Sequence, residues 1–391
     1  MEKPKIRFLK NKHSWVRNTF EEIAKRRTKS SDNPDLPRIE YQDIISGEGR
    51  LNKDLNKNID YREGIVFETN DILYGKLRPY LKNWLHPNFN GIALGDFWVL
   101  QARNCDSKFL FSLVQSPKFQ RVANDTSGTK MPRSDWKTIS QTEFSIPSSN
   151  EEQSAIGSLF RTLDDLLASY KDNLANYQSL KATMLSKMFP KAGQTVPEIR
   201  LDGFEGEWEV VNLGTLIENY DEIISGASGF PIATSSRKGL YLQNDYFEGG
   251  RTGIDLTLDF HRVPMGYVTY RHMSDDSIFK FNKNNFETDV LVSKEYPVFI
   301  SNDSSDIDFL LYHLNNSRLF LRFSTMQKLG GTRVRLYYKN LITYKLAVPT
   351  VKEQQAIGTY FSNLDNLINS YQDKILQLET LKKKLLQDMF I

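Results

Sequence analysis

Cysteine is almost absent from this 391-residue chain. Cys105 stands alone, which excludes an internal disulfide framework and any cysteine-rich zinc site and leaves it the role of a small buried side chain. The five histidines, His13, His86, His261, His272 and His313, show no paired ligand spacing, so no metal site is expected. No apolar run approaches the length needed to cross a bilayer and no apolar leader opens the chain, which predicts a cytoplasmic protein with no membrane partner. Neither a Gly-x-Gly-x-x-Gly loop nor a Walker phosphate loop occurs. Asn33-Pro34-Asp35-Leu36 is the nearest string to the Asn-Pro-Pro-aromatic loop that holds a flipped base, and it lacks the second proline and the aromatic. Asp106-Ser107-Lys108 and Asp135-Trp136-Lys137 match a fragment of metal-dependent nuclease sites, but such triplets arise by chance in any charged chain. The expectation is a chain with no catalytic centre and no cofactor of its own.

What is present supports two ordinary domains. Apolar residues at 39% and aromatics at 12% suffice to bury real cores. The net charge of +3 becomes informative when divided: residues 1–150 hold 25 Lys+Arg against 18 Asp+Glu, whereas residues 190–350 hold 17 against 20. The first segment is basic, as a phosphate-binding surface requires, and the second slightly acidic, so charge permits nucleic-acid binding without demanding it.

Internal repetition is the strongest signal. Glu151-Glu152-Gln153-Ser154-Ala155-Ile156-Gly157 is echoed by Lys352-Glu353-Gln354-Gln355-Ala356-Ile357-Gly358, and the offset of 201 holds to Met188-Phe189 and Met389-Phe390, with 17 of 39 positions identical. Pro4, Ile6, Arg7 and Trp15 align with Pro197, Ile199, Arg200 and Trp208. Gly128-Thr129-Lys130 corresponds to Gly331-Thr332-Arg333, and Ile146-Pro147 to Val348-Pro349. Between these echoes, residues 24–127 and 218–330 show no defensible alignment, so a repeated frame surrounds two different inserts.

The repeated segments predict long helices. Phe160, Leu163, Leu167, Tyr170, Leu174, Tyr177, Met184 and Met188 in the first copy, and Phe361, Leu364, Ile368, Tyr371, Ile375, Leu378, Leu385 and Met389 in the second, alternate spacings of three and four, a heptad seam. Lys181 and Lys382 interrupt it at equivalent places, either to fix register or with their heads snorkelling outward. Pro147 and Pro349 precede polar N-cap candidates, Ser148-Ser149-Asn150 and Thr350, and Pro190 ends the first helix. The expected boundaries are 1–150, 151–189, 190–350 and 351–391: domain, helix, domain, helix. Some 38 residues make a rod of roughly 55 Å. Packed antiparallel, two such rods would hold the domains about a pseudo-two-fold axis, on the order of 15 base pairs apart on a duplex.

This order of insert, Glu-Glu-Gln-Ser-Ala-Ile-Gly helix, second insert and Glu-Gln-Gln-Ala-Ile-Gly helix, together with Pro197-Glu198-Ile199-Arg200-Leu201-Asp202-Gly203-Phe204-Glu205-Gly206-Glu207-Trp208, resembles the specificity subunit of type I restriction-modification systems over essentially the whole chain. The first half departs from it locally, with Leu9-Lys10-Asn11-Lys12-His13-Ser14-Trp15 in place of the Gly-Phe-Glu-Gly-Glu-Trp form. The resemblance implies an α+β chain with two mixed target-recognition domains joined by two long antiparallel coiled-coil helices. It implies that each domain reads half of a divided site on double-stranded DNA, and that the helices set the spacer. It also implies that two methyltransferase (modification) subunits and nuclease-translocase (restriction) subunits are the partners, and that S-adenosylmethionine, ATP and magnesium are used only there.

Candidate DNA contacts follow from residue type. Asn70 to Tyr80 combines strand-like alternation with cations: Tyr74, Lys76 and Arg78, the last two expected on one strand face. Tyr270 and Arg271 are the counterparts in the second insert. The glycine-led strings offer Thr129 and Lys130, and Thr332 and Arg333, with Arg133 and Arg335 as companions. The first string reads equally as a core strand with solvated cations, and the glycine strings as turns. Two rivals remain beside a DNA reader: a coiled-coil adaptor whose inserts bind proteins, and a stand-alone nuclease or methyltransferase.

Overall fold

The computed structural model describes residues 4–8, 14–52, 61–125, 130–246, 255–328 and 333–390. The chain divides into two compact units, residues 1–174 with 370–391, and residues 175–369. Both mix helices with short sheets, giving an α+β chain. The longer helices are α1 (Ser107–Gln115), α2 (Pro117–Ala123), α3 (Asn150–Lys187), α4 (Ile307–Asn316), α5 (Arg318–Met326) and α6 (Val351–Met389).

In the first unit Trp15–Thr19 pairs antiparallel with Glu143–Pro147, the strand that leads into α3. Ala24–Arg26, Phe97–Ala102, Ile72–Gly75 and Trp84–Leu85 form a four-stranded antiparallel sheet whose inward residues include Ile72, Tyr74, Trp98 and Leu100. A second four-stranded sheet holds Ser30–Ser31, Gly64–Phe67, Gly91–Ala93 and Arg38–Ile39. In the second unit Glu209–Asn212 pairs with Lys345–Val348, the strand before α6. Ile217–Tyr220, Val298–Ser301, Val268–Thr269 and Asn282–Lys283 form the larger sheet.

The Glu-Gln-x-Ala-Ile-Gly motif explains itself as a joint. Glu152, fully buried, takes a bidentate pair from Arg7 at 2.6 Å and the Trp15 indole N–H at 3.2 Å; Glu353 takes Arg200 at 2.7 and 2.6 Å. Hydrogen bonding to those carboxylates holds both guanidinium pKa values above the ordinary range. Gln153 donates to the Pro147 carbonyl and accepts from the Asp106 N–H, and Gln354 repeats this with Pro349 and Asp306. Asp106 and Asp306 cap α1 and α4 by accepting from Phe109 and Phe309. Gly157 and Gly358 permit the approach: a Cβ at Gly157 would lie 2.5 Å from the Phe109 nitrogen, and one at Gly358 2.7 Å from Asp306 Oδ1.

This joint corrects the expectation that the inserts share nothing. The helix pairs α1–α2 and α4–α5 are equivalent, with Ser116 and Ser317 capping the second helix of each pair as Asp106 and Asp306 cap the first. The repeat therefore extends into residues 106–123 and 306–326, carried by caps and buried phenylalanines.

Within the first unit the start of α3 lies against the end of α6, antiparallel: Phe160 packs on Phe390, Asp164 pairs with Lys382 and Lys171 with Glu379. Within the second, Phe189, just past the end of α3, stacks on Phe361, and Lys181 pairs with Asp365. Each seam lysine thus meets an aspartate on the opposite helix rather than snorkelling to solvent. Phe160, Leu163, Leu167, Phe361, Leu364 and Ile368 are buried; Tyr170, Leu174, Tyr371 and Ile375 are half-buried, with the Tyr170 and Tyr371 rings 5.3 Å apart. The repeated Met-Phe ends plug the cores: Phe390 packs on Phe109 in the first unit and Phe189 on Phe309 in the second.

Candidate nucleic-acid interface

The chain folds so that two strings far apart in sequence meet in each unit. In the first, Ile72–Gly75 ends where Lys76 begins, and the Ser134 N–H donates to the Lys76 carbonyl at 2.8 Å. Leu77 bridges to Arg133, and the Arg78 N–H donates to the Pro132 carbonyl at 2.7 Å. Lys76, Arg78 and Arg133 therefore share one edge, and Lys130 precedes Pro132 by two residues in the chain. Asp96 lies among them, 3.6 Å from the Lys76 ammonium and 2.9 Å from the Arg133 guanidinium. Tyr41 fixes that carboxylate's segment by donating to the Asp96 carbonyl at 2.5 Å and accepting from the Leu77 N–H at 3.2 Å, and burial pushes its phenol up to about 12. Arg78 and Lys130 are exposed and, among the described residues, have no carboxylate partner. One acid, paired with two of these cations and not with the other two, leaves a positive edge.

The second unit rebuilds this edge from other residues. Met273–Ser274 pairs with Val334–Arg335, and the Leu336 N–H donates to the His272 carbonyl at 2.8 Å, as Ser134 does to Lys76. Arg271, Arg333 and Arg335 are exposed on it, and Arg333 reaches Asp275 at 2.8 Å. Exposed arginines with free donors can take guanine edges bidentately or phosphate oxygens.

Two sequence expectations change. Tyr74 and Tyr270 are core residues, 1% and 0% exposed, so their rings face the interior and offer nothing to a duplex. Tyr270 donates to the Leu336 carbonyl at 3.0 Å, and burial pushes its pKa well above the ordinary range. Lys76 and Arg78 do not share a strand face: the strand stops at Gly75, and Arg78 adopts φ 49° as it caps the turn Pro79–Leu81. Thr129 and Thr332, with their glycine strings, and residues 9–13 lie outside the described residues.

Sequence reasoning missed the hairpin Ala233–Ser236/Gly239–Leu242, whose two-residue tip is Arg237-Lys238. Gly239, at φ 140°, follows the tip and was the available turn signal. Arg237 pairs with Asp276 at 2.5 Å, tying the tip to the segment that carries Arg271 and Met273–Ser274. Among the described residues no group of three or more His, Cys, Asp or Glu could hold a metal ion, and no helix is long and apolar enough to cross a membrane.

Residues 238–380 match the type I restriction modification DNA specificity domain. The chain is 23% identical over 320 residues to the type I restriction enzyme MjaVIII specificity subunit of Methanocaldococcus jannaschii, covering 76% of this chain and 72% of that one. It is 25% identical over 190 residues to the EcoDI specificity subunit of Escherichia coli, covering 46% and 42%. In structure it resembles the type I restriction-modification system S subunit from M. genitalium, with a TM-score of 0.60, 14% identity and coverage of 100% and 99%, a likeness of fold.

Proposed function

We propose that this chain is a type I restriction-modification specificity subunit, of a family whose function is DNA sequence recognition, and that its two units each read one block of a divided site on double-stranded DNA. One observation carries the reading: the same cation-bearing edge is built at the same backbone position in both units, with Arg133 and Arg335 in equivalent places and otherwise unlike side chains, Lys76-Arg78-Lys130 against Arg271-Arg333. Equivalent placement with unlike side chains is what two readers of different base sequences need. The antiparallel helices set the unread spacer between the blocks, and modification and restriction subunits assemble on the chain. Methyl transfer, ATP use and cleavage, with S-adenosylmethionine and magnesium, belong to those subunits.

Selection of binders from a random duplex pool tests this. Two specified blocks separated by an unspecified stretch of fixed length are expected, with affinity falling steeply as salt rises from 50 to 200 mM. An adaptor whose inserts bind proteins gives no enrichment and no such dependence.

A further inference from the structure

Two open clefts in the unit of residues 175–369, of about 500 and 420 Å³, are both lined by Lys238 and Lys280. Every carboxylate on their walls is engaged: Asp308 by Lys283, Asp365 by Lys181, and Asp275 by Arg333. Lys238, Arg271 and Lys280, by contrast, have no carboxylate partner among the described residues. Lys280 is half-buried, and burial, followed by the neighbouring Lys181, holds its pKa below the ordinary lysine range. Its nearest opposing charge, Asp365, is already taken by Lys181, and a partly desolvated ammonium without a carboxylate of its own costs free energy that an arriving anion recovers.

The placement is rigid. The Asn282 amide donates to Ser235 Oγ at 2.8 Å and to the Ser236 carbonyl at 2.9 Å, clamping the Arg237-Lys238 hairpin beside Lys280. Lys238 is held in turn by its N–H to Ser236 Oγ at 3.1 Å, and Arg237 by Asp276.

We propose that Lys238 and Lys280 grip a backbone phosphate of bound DNA, carrying the second unit's interface from the Arg271–Arg335 edge across the hairpin tip. The open shape of the clefts, joined through the two lysines and continuous with Arg271, suits a polyanion running over a surface rather than a small anion enclosed by donors. The inference rests on the DNA reading above.

The test measures affinity against salt for the full chain, in the assembly in which it purifies, on its selected duplex and on a scrambled one. Lys280→Gln is expected to weaken both duplexes alike and to reduce the salt slope by about 0.9, so that the loss between 50 and 200 mM becomes about threefold smaller. Lys280→Arg is expected to restore the slope. Because the glutamine removes a partly desolvated charge, its thermal midpoint should equal or exceed that of the unaltered chain. An unchanged slope, or a loss confined to the selected duplex, overturns the phosphate grip while leaving the DNA reading intact. If the unaltered chain shows no salt-dependent binding, the DNA reading itself fails. Inorganic phosphate at 10 mM provides the remaining arm. Equal thermal midpoints with and without it support a duplex phosphate, and a rise lost in Lys280→Gln marks a small-anion pocket and overturns the proposal.

Discussion

At the scale of single residues, the repeated motif is an instrument for joining elements, and its glycine gives the sharpest test. Helix propensity alone says that Gly157→Ala, inside α3, should stabilise by about 1 kcal/mol. The added Cβ would meet the Phe109 backbone nitrogen at 2.5 Å and the Lys108 carbonyl carbon at 2.7 Å, atoms held by the Asp106 cap and by Gln153. Backbone cannot rotate away as a side-chain tip can, so overpacking outweighs propensity. The variant is expected to lose about 1–3 kcal/mol in urea denaturation. A gain in midpoint would show that α1 slides freely on α3 and that the joint is not rigid.

At the scale of elements, the two long helices were legible because a heptad stripe needs only apolar residues at a fixed spacing, and nothing else in the chain competes with that pattern. The inserts were not. Their strands run two to six residues, too short for alternation to declare a face. Tyr74 illustrates the failure: two cations follow it closely in sequence, yet its ring packs on Trp98 and Phe119 while the neighbouring Leu73 is buried in a second core cluster. The equivalence of α1–α2 with α4–α5 was hidden for another reason. A cap needs an acceptor side chain and a core needs a ring, so Asp106 and Asp306 with Phe109 and Phe309 keep the geometry while the surrounding letters change. The candidate edges were half-legible. The exposed cations Arg78, Lys130, Arg271, Arg333 and Arg335 were found by residue type, whereas the Arg237-Lys238 tip needed the hairpin register.

The seam lysines, legible as interruptions, acquire a role at this scale. Lys382 lies 2.6 Å from Asp164, both 13% exposed, and also donates to Gln115 at 2.7 Å. Burial raises the Asp164 pKa in spite of Lys382, so desolvation exceeds what the pair returns. Lys382→Met alone is expected to destabilise the first unit by about 3 kcal/mol near pH 7, because it strands a carboxylate in the seam. Adding Asp164→Leu should restore stability to the original level or above it. A double variant as weak as the single would mean that the pair contributes net stability, and not only the register of α3 against α6.

For the whole molecule, the question is whether the two units act independently within one binding event. Each has its own core cluster, its own Glu-Arg joint and its own cation edge, and no residue of one edge is shared with the other. Perturbations confined to one edge should therefore add without coupling, as sites with no shared partners do. Arg78→Ala removes an exposed cation of the first edge and Arg271→Ala one of the second, and neither touches a buried pair. Selection from a random duplex pool should return, for each variant, a site relaxed at one to three base pairs of a single block, at about 1–3 kcal/mol per lost base contact. The other block and the unread spacer should stay as they are in the unaltered chain. If Arg78→Ala and Arg271→Ala relaxed the same block, both edges would be reading one stretch of duplex. The duplication would then have doubled a single reader instead of pairing two.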